Sequence, residues 1–116
     1  MIAHVVLFRP RADLSGAAQT ALATAFEGAL RGIPSIRRAH VGRRVLHGRG
    51  YEALMQVDYQ YAAILEFDDE AGLKAYLDHP AHRDLASRFF DSFEHALMYD
   101  FHLEEGPDGL AALLLS

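Results

Sequence analysis

A chain of 116 residues and 12.9 kDa has room for one domain and one core. Its composition, 51% hydrophobic and 23% charged, excludes overall disorder, and the absence of cysteine excludes disulfides, thiolate metal sites, iron–sulfur clusters and a cysteine nucleophile together. A net charge of −5 sets the chain as a whole against nucleic acid, and no apolar run approaches the ~20 residues of a membrane span, so neither partner is expected.

The charge is unevenly spread. Residues 1–51 carry eight Arg and two acids, whereas residues 52–116 carry fourteen acids and three basic residues. Either these are solvated faces, or the stretch from Arg31 to Arg49 meets the acidic half, within one subunit or across a dimer. The opening MIAHVVLFRPR lacks a basic start and a small-residue cleavage site, so no signal peptide is expected and a cytoplasmic location is the default.

Ile2 to Phe8 is rich in β-branched residues and stops at Arg9-Pro10, which predicts a strand. Alternation puts Ile2, His4, Val6 and Phe8 on one face and Ala3, Val5 and Leu7 on the other; both are mostly apolar, so both should be covered. Asp13 or Ser15 caps a helix to about Arg31, whose apolar stripe runs through Leu14, Ala18, Leu22, Phe26, Ala29 and Leu30. Gly32-Ile33-Pro34 ends it. Ile36 to Leu46 reads as a second strand, followed by a turn at His47-Gly48-Arg49-Gly50; Tyr51 to Tyr59 is ambiguous.

Tyr61 to Phe67 is a third strand. Asp68 is a good cap for a helix over Glu70 to Asp78, and Pro80 then opens a further helix to about Phe93. Ala96 to Leu103 is the last strand, with Leu97, Tyr99 and Phe101 opposite Met98, Asp100 and His102. Residues 1–103 therefore form one domain of order β-α-β-β-α-β, the ferredoxin-like α+β arrangement, with an antiparallel sheet and helices on one face. The other face needs a cover, and a second copy of the sheet is the simplest, so a homodimer is expected. Residues 104–116 form a tail whose run from Leu110 to Leu115 must dock somewhere.

The segment Tyr76-Leu77-Asp78-His79-Pro80-Ala81-His82 stands out as the candidate for chemistry. On a straight helix Tyr76 and His82 would point apart; a bend at His79-Pro80 brings the later side chain back over the sheet, where His4 can point into the same space. Histidine exchanges protons near neutral pH, and tyrosine donates a hydrogen bond to a carbonyl or enolate oxygen. The competing readings are structural: His82 bonds a backbone carbonyl, His79 caps the helix, and Tyr76 and His4 fill the core. The seven histidines lack His-x3-His and HExxH spacing, and Pro80 separates His79 from His82, so no metal is expected. No phosphate-loop or Gly-x-Ser-x-Gly motif occurs, and no cofactor is expected.

The start His4-x-Val6-x-Phe8, the Ile33-Pro34 helix end and above all Tyr76-x-x-His79-Pro80-x-His82, followed by Phe93 and Tyr99, resemble the stress-responsive A/B barrel (Dabb) family over residues 2–103. The resemblance implies a dimeric α+β barrel. Through the polyketide cyclases of that family it implies that Tyr76 and His82 are the acid–base pair and that His4 lines the pocket. A further pocket histidine of those cyclases corresponds to Tyr61 here, a departure that changes the pocket's hydrogen bonding. His79 is carried over as a substrate-binding candidate. The implied function is a cofactor-independent cyclase, lyase or isomerase acting on a small polyketide-like or aromatic compound. The alternative is a noncatalytic stress-responsive or ligand-binding barrel.

Overall fold

The computed structural model describes residues 1–116. Four strands and four α-helices follow in the order β1 (Ile2–Pro10), α1 (Gly16–Gly32), β2 (Arg38–Arg43), β3 (Tyr61–Phe67), α2 (Glu70–Asp78), α3 (Pro80–Ser92), β4 (Phe93–His102) and α4 (Gly109–Leu115), with a 3₁₀ turn at Gly50–Leu54. The sheet order is β2-β3-β1-β4 and every neighbouring pair is antiparallel, so the fold is ferredoxin-like α+β. No helix is long and apolar enough to cross a membrane.

The register aligns Leu65, His4 and Asp100 in one row, and Ala63, Val6 and Met98 in the next. Both rows face the helices. Ile2, Leu65, Phe67, Leu22, Ala29, Tyr76 and Leu85 form the main core there, and Val6, Ala63 and Phe89 continue it beneath a cluster of aromatic rings. Each fully buried large apolar side chain is worth roughly 1.5–3 kcal/mol, and these side chains lock α1, α2 and α3 to one face.

Helix starts obey local chemistry. Ser15, of the two residues expected to cap α1, accepts a hydrogen bond from the Ala18 N–H. The cap of α2 is Asp69 and not Asp68: Asp69 Oδ1 accepts from the Gly72 N–H at 2.8 Å, while Asp68 pairs with Arg37 at 3.0 Å. The second strand is shorter than Ile36 to Leu46. It is an exposed edge paired only with β3, and β3 begins at Tyr61, opposite Arg43.

The opposite face of the sheet carries Val5, Leu7, Ile64, Tyr99 and Phe101, and no helix packs over its centre; Ile64, Tyr99 and Phe101 are exposed. The tail does not dock within the chain: it forms α4 and leaves Leu110, Leu113, Leu114 and Leu115 exposed. The charge halves meet in part, through Arg37–Asp68 and a double pairing of Asp58 with Arg9 and Arg44.

Candidate functional site

The bend at His79-Pro80 is built by a reciprocal cap. His79 is extended (φ −70°, ψ 139°), as a residue before proline should be, and its N–H closes the last turn of α2 on the Tyr76 carbonyl. Its side-chain Nδ1 accepts a hydrogen bond from the Ala81 N–H at 3.0 Å, capping α3, whose first residue is Pro80. The chain therefore changes direction with the freed Ala81 N–H satisfied by a side chain, and the first turn of α3 returns toward Tyr76. The Tyr76 and His82 rings lie 4.6 Å apart at 60°. The His4 ring lies 5.6 Å from Tyr76 on its other side.

These three rings line a cavity of about 250 Å³ between the sheet and the helices. Eleven of its thirteen lining residues are hydrophobic; the other two are His4 and His82. Val6, Leu65 and Met98 supply part of the sheet side, and Phe26, Leu85 and Phe89 part of the helix side. The polar side-chain groups it presents are therefore two imidazoles and one phenol. An apolar chamber of this size suits a molecule about one ring in size, held by few polar contacts.

Hydrogen bonding shows which atom of each imidazole is already engaged. His82 Nδ1 is 3.1 Å from the Leu77 carbonyl oxygen. A carbonyl only accepts, so Nδ1 carries the hydrogen, and the lone pair of neutral His82 is on Nε2. Burial lowers the His82 pKa from the ordinary imidazole value of 6.5 and the nearby His4 adds to this, against the opposing pull of the Leu77 carbonyl. The neutral, proton-accepting form thus predominates at neutral pH. Tyr76 is buried, and desolvation pushes its pKa up to about 12. It keeps its proton and serves as a donor. Ser35 Oγ is the one side-chain polar atom sealed off without a partner. Tyr76 Oη has no partner within the chain either, yet it is not sealed, so it opens on the cavity that Tyr76 lines.

His4 Nδ1 donates to Asp100 Oδ1 at 2.6 Å, with His4 buried and the Asp100 side chain 45% exposed. The carboxylate holds the ring in the tautomer that leaves Nε2 as acceptor. Asp100 was not among the residues expected from the sequence. An acid in the middle of an apolar strand was the available signal, but its partner depends on the β1–β4 register, which aligns Asp100 with His4.

The structure thus brings His82, Tyr76 and His4 together, and leaves two other candidates outside. His79 is occupied by the α3 cap and does not line the cavity, because its imidazole turns back on the backbone of its own bend. Tyr61 pairs with Phe8, four residues along β1 from His4 and so roughly 13 Å away. There its ring stacks on Phe8 at 5.7 Å, beneath the Arg43 guanidinium.

A four-stranded antiparallel sheet carrying helices on one face, with a Tyr-x-x-His-Pro-x-His bend over it, defines a ferredoxin-like protein of the α+β barrel type. Residues 2–103 match the Stress responsive A/B Barrel Domain, and the chain belongs to this Dabb family. Its fold is shared with an Arabidopsis thaliana protein (20% identity, TM-score 0.73, covering 91% of this chain and 98% of that one). It is also similar to a hydroxynitrile lyase from Passiflora edulis (16%, 0.72, 90% and 94%). A third relative is a dimeric ferredoxin-like protein from Thermobifida fusca (24%, 0.68, 88% and 90%). No curated protein matches the sequence.

Proposed function

We propose that the protein is a cofactor-independent lyase, cyclase or isomerase that moves a proton beside a carbonyl in a compound about one aromatic ring in size. The observation that carries this reading is the His82–Tyr76 pair on the wall of an apolar cavity. One member is a neutral base with its free lone pair on Nε2, and the other is an unspent hydroxyl donor.

In this mechanism His82 Nε2 takes a proton from the carbon next to a carbonyl. Tyr76 Oη donates a hydrogen bond to the oxygen on which charge develops. The apolar surroundings strengthen that bond and keep the tyrosine from ionising in place of the substrate. His4, oriented by Asp100, supplies a second acceptor on the far side of Tyr76. An intramolecular aldol closure of a polyketide-like chain and a carbon–carbon lyase step both use these elements. One of the relatives that share the fold is a hydroxynitrile lyase.

The protein acts as a homodimer in this reading. The uncovered sheet face is apolar, and solved relatives of this fold are described as dimeric. Stacking two such faces removes Tyr99 and Phe101 from water on both copies.

The test is a panel of small aromatic and β-polyketone compounds, scored by ligand-induced NMR shifts and by turnover. Wild type should bind at the cavity and turn over at least one compound, and His82→Ala should retain the fold without turnover. Binding without turnover across the panel would favour a noncatalytic ligand-binding barrel.

A further inference from the structure

A second apolar hollow lies on the uncovered side of the sheet. It is a groove of about 680 Å³ running across one end of the strands. Gly42, Ala62, Leu7 and Leu97, one from each strand in a single register row, form its floor, and Leu54, Met55 and Val57 form its wall. Arg43 and Arg44 stand at its edge. Arg44 is paired with Asp58 at 2.7 Å, whereas Arg43 has no carboxylate partner.

The tail has the complementary pattern. Glu104, Glu105 and Asp108 precede the leucines of α4. Glu104 pairs only with His102, and Glu105 and Asp108 have no cationic partner. Gly106 (φ +77°) turns the link back so that Gly109 packs on Glu104, where an added Cβ would lie 2.7 Å from the Glu104 Cβ. This holds α4 near the end of the sheet where His102 pairs with Ile2, whereas the groove lies at the Leu7 end, about 17 Å along the strands. A seven-residue helix spans about 10 Å, so a tail anchored there does not fill its own groove.

We propose that α4 of one copy docks in this groove of a second copy, with Glu104, Glu105 and Asp108 set against the partner's basic edge. A two-fold axis parallel to the sheet, just outside its uncovered face and running across the strands, stacks the two uncovered faces and exchanges their ends. Each tail then lies over the other copy's groove. The docking is reciprocal, as a closed two-fold interface requires, and it continues the sheet-on-sheet contact. It therefore rests on the dimer of the preceding section and assigns a role to residues 104–116, which lie beyond the family match.

Because the chain has no cysteine, single engineered thiols report the contact directly. Leu114→Cys and Leu54→Cys variants are mixed, oxidised, and compared with a Leu114→Cys and Ser87→Cys mixture, Ser87 being on α3 away from the groove. The expected result is a two-chain disulfide in the first mixture at least about tenfold faster than in the control. In parallel, Leu113→Asp/Leu114→Asp should raise the dimer dissociation constant at least about tenfold, since four leucines leave their sites per dimer. A dimer by light scattering with no preferential disulfide and an unchanged dissociation constant overturns the tail docking and leaves the sheet dimer standing. A monomeric wild type overturns both.

Discussion

At the scale of single residues, the proposed function rests on which nitrogen of each imidazole is already engaged. Leu77 takes the Nδ1–H of His82 and Asp100 takes that of His4, so each ring has only Nε2 left for a ligand. His82→Ala removes the proton acceptor and is expected to abolish turnover with the fold retained. Tyr76→Phe keeps the ring and deletes the donor, and should lower kcat by about 10²-fold, the loss typical of one oxyanion donor. Asp100→Asn should reduce kcat more than KM, because it disturbs the orientation of His4 without emptying the cavity. The pKa of His82 lies below the ordinary value in the folded protein, so the acid limb of the kcat/KM profile should fall below pH 6.5. Stability follows the same sign. The unfolded chain binds this proton more readily, so the contribution of His82 is complete above about pH 6.5 and is lost as pH falls from there through the folded pKa. Melting temperature measured from pH 8 to 5 should drop on the acid side, and His82→Gln should flatten the drop. A profile that is equally steep in the variant would assign it to other groups.

At the scale of elements, the α2–α3 bend is what turns a sequence motif into a site. Pro80 stops α2 from continuing, and His79 satisfies the freed N–H of Ala81. His79→Ala should therefore cost about 1 kcal/mol in urea denaturation, the usual value of an N-cap. His79→Asn should recover most of it, since asparagine caps as well. Neither change should alter binding in the cavity, because His79 does not line it. A lost ligand with unchanged stability would instead place His79 in the substrate pocket. α1 contributes differently. It brings Phe26 against Phe8 and Phe89, with ring centroids 5.8 and 6.3 Å away, and so helps close one side of the chamber.

At the scale of the whole molecule, the uncovered sheet face decides the assembly. Tyr99 is 58% exposed and Phe101 51% exposed in the single chain, beside Val5 and Leu7. Light scattering at micromolar concentration should return twice the 12.9 kDa chain mass. Tyr99→Asp should shift the population to monomer while leaving secondary structure and the helix-side core intact, since Tyr99 points away from that core.

The order of elements, the proline-opened α3 and the split of β1 into two apolar faces were all legible in the sequence, because they depend on local chemistry and on periods of two and 3.6 residues. The partnership of Tyr76 with His82 was also legible, because both belong to one short motif whose bend is written as His-Pro. Long-range pairing was not. Asp100 joined the site only through the register that sets it opposite His4, ninety-six positions away in sequence. Tyr61 left the site because the same register places it opposite Phe8, at the far end of the strand. For His79 the sequence supported both a cap and a pocket contact, and the cap prevailed because the Ala81 N–H lies within its reach. The tail's leucines announced that they need a partner, but only the topology showed that the apolar groove lies at the other end of the sheet from the tail. Local sequence specifies which groups are available; which of them meet is decided by strand register and by chain closure over distances no local pattern encodes.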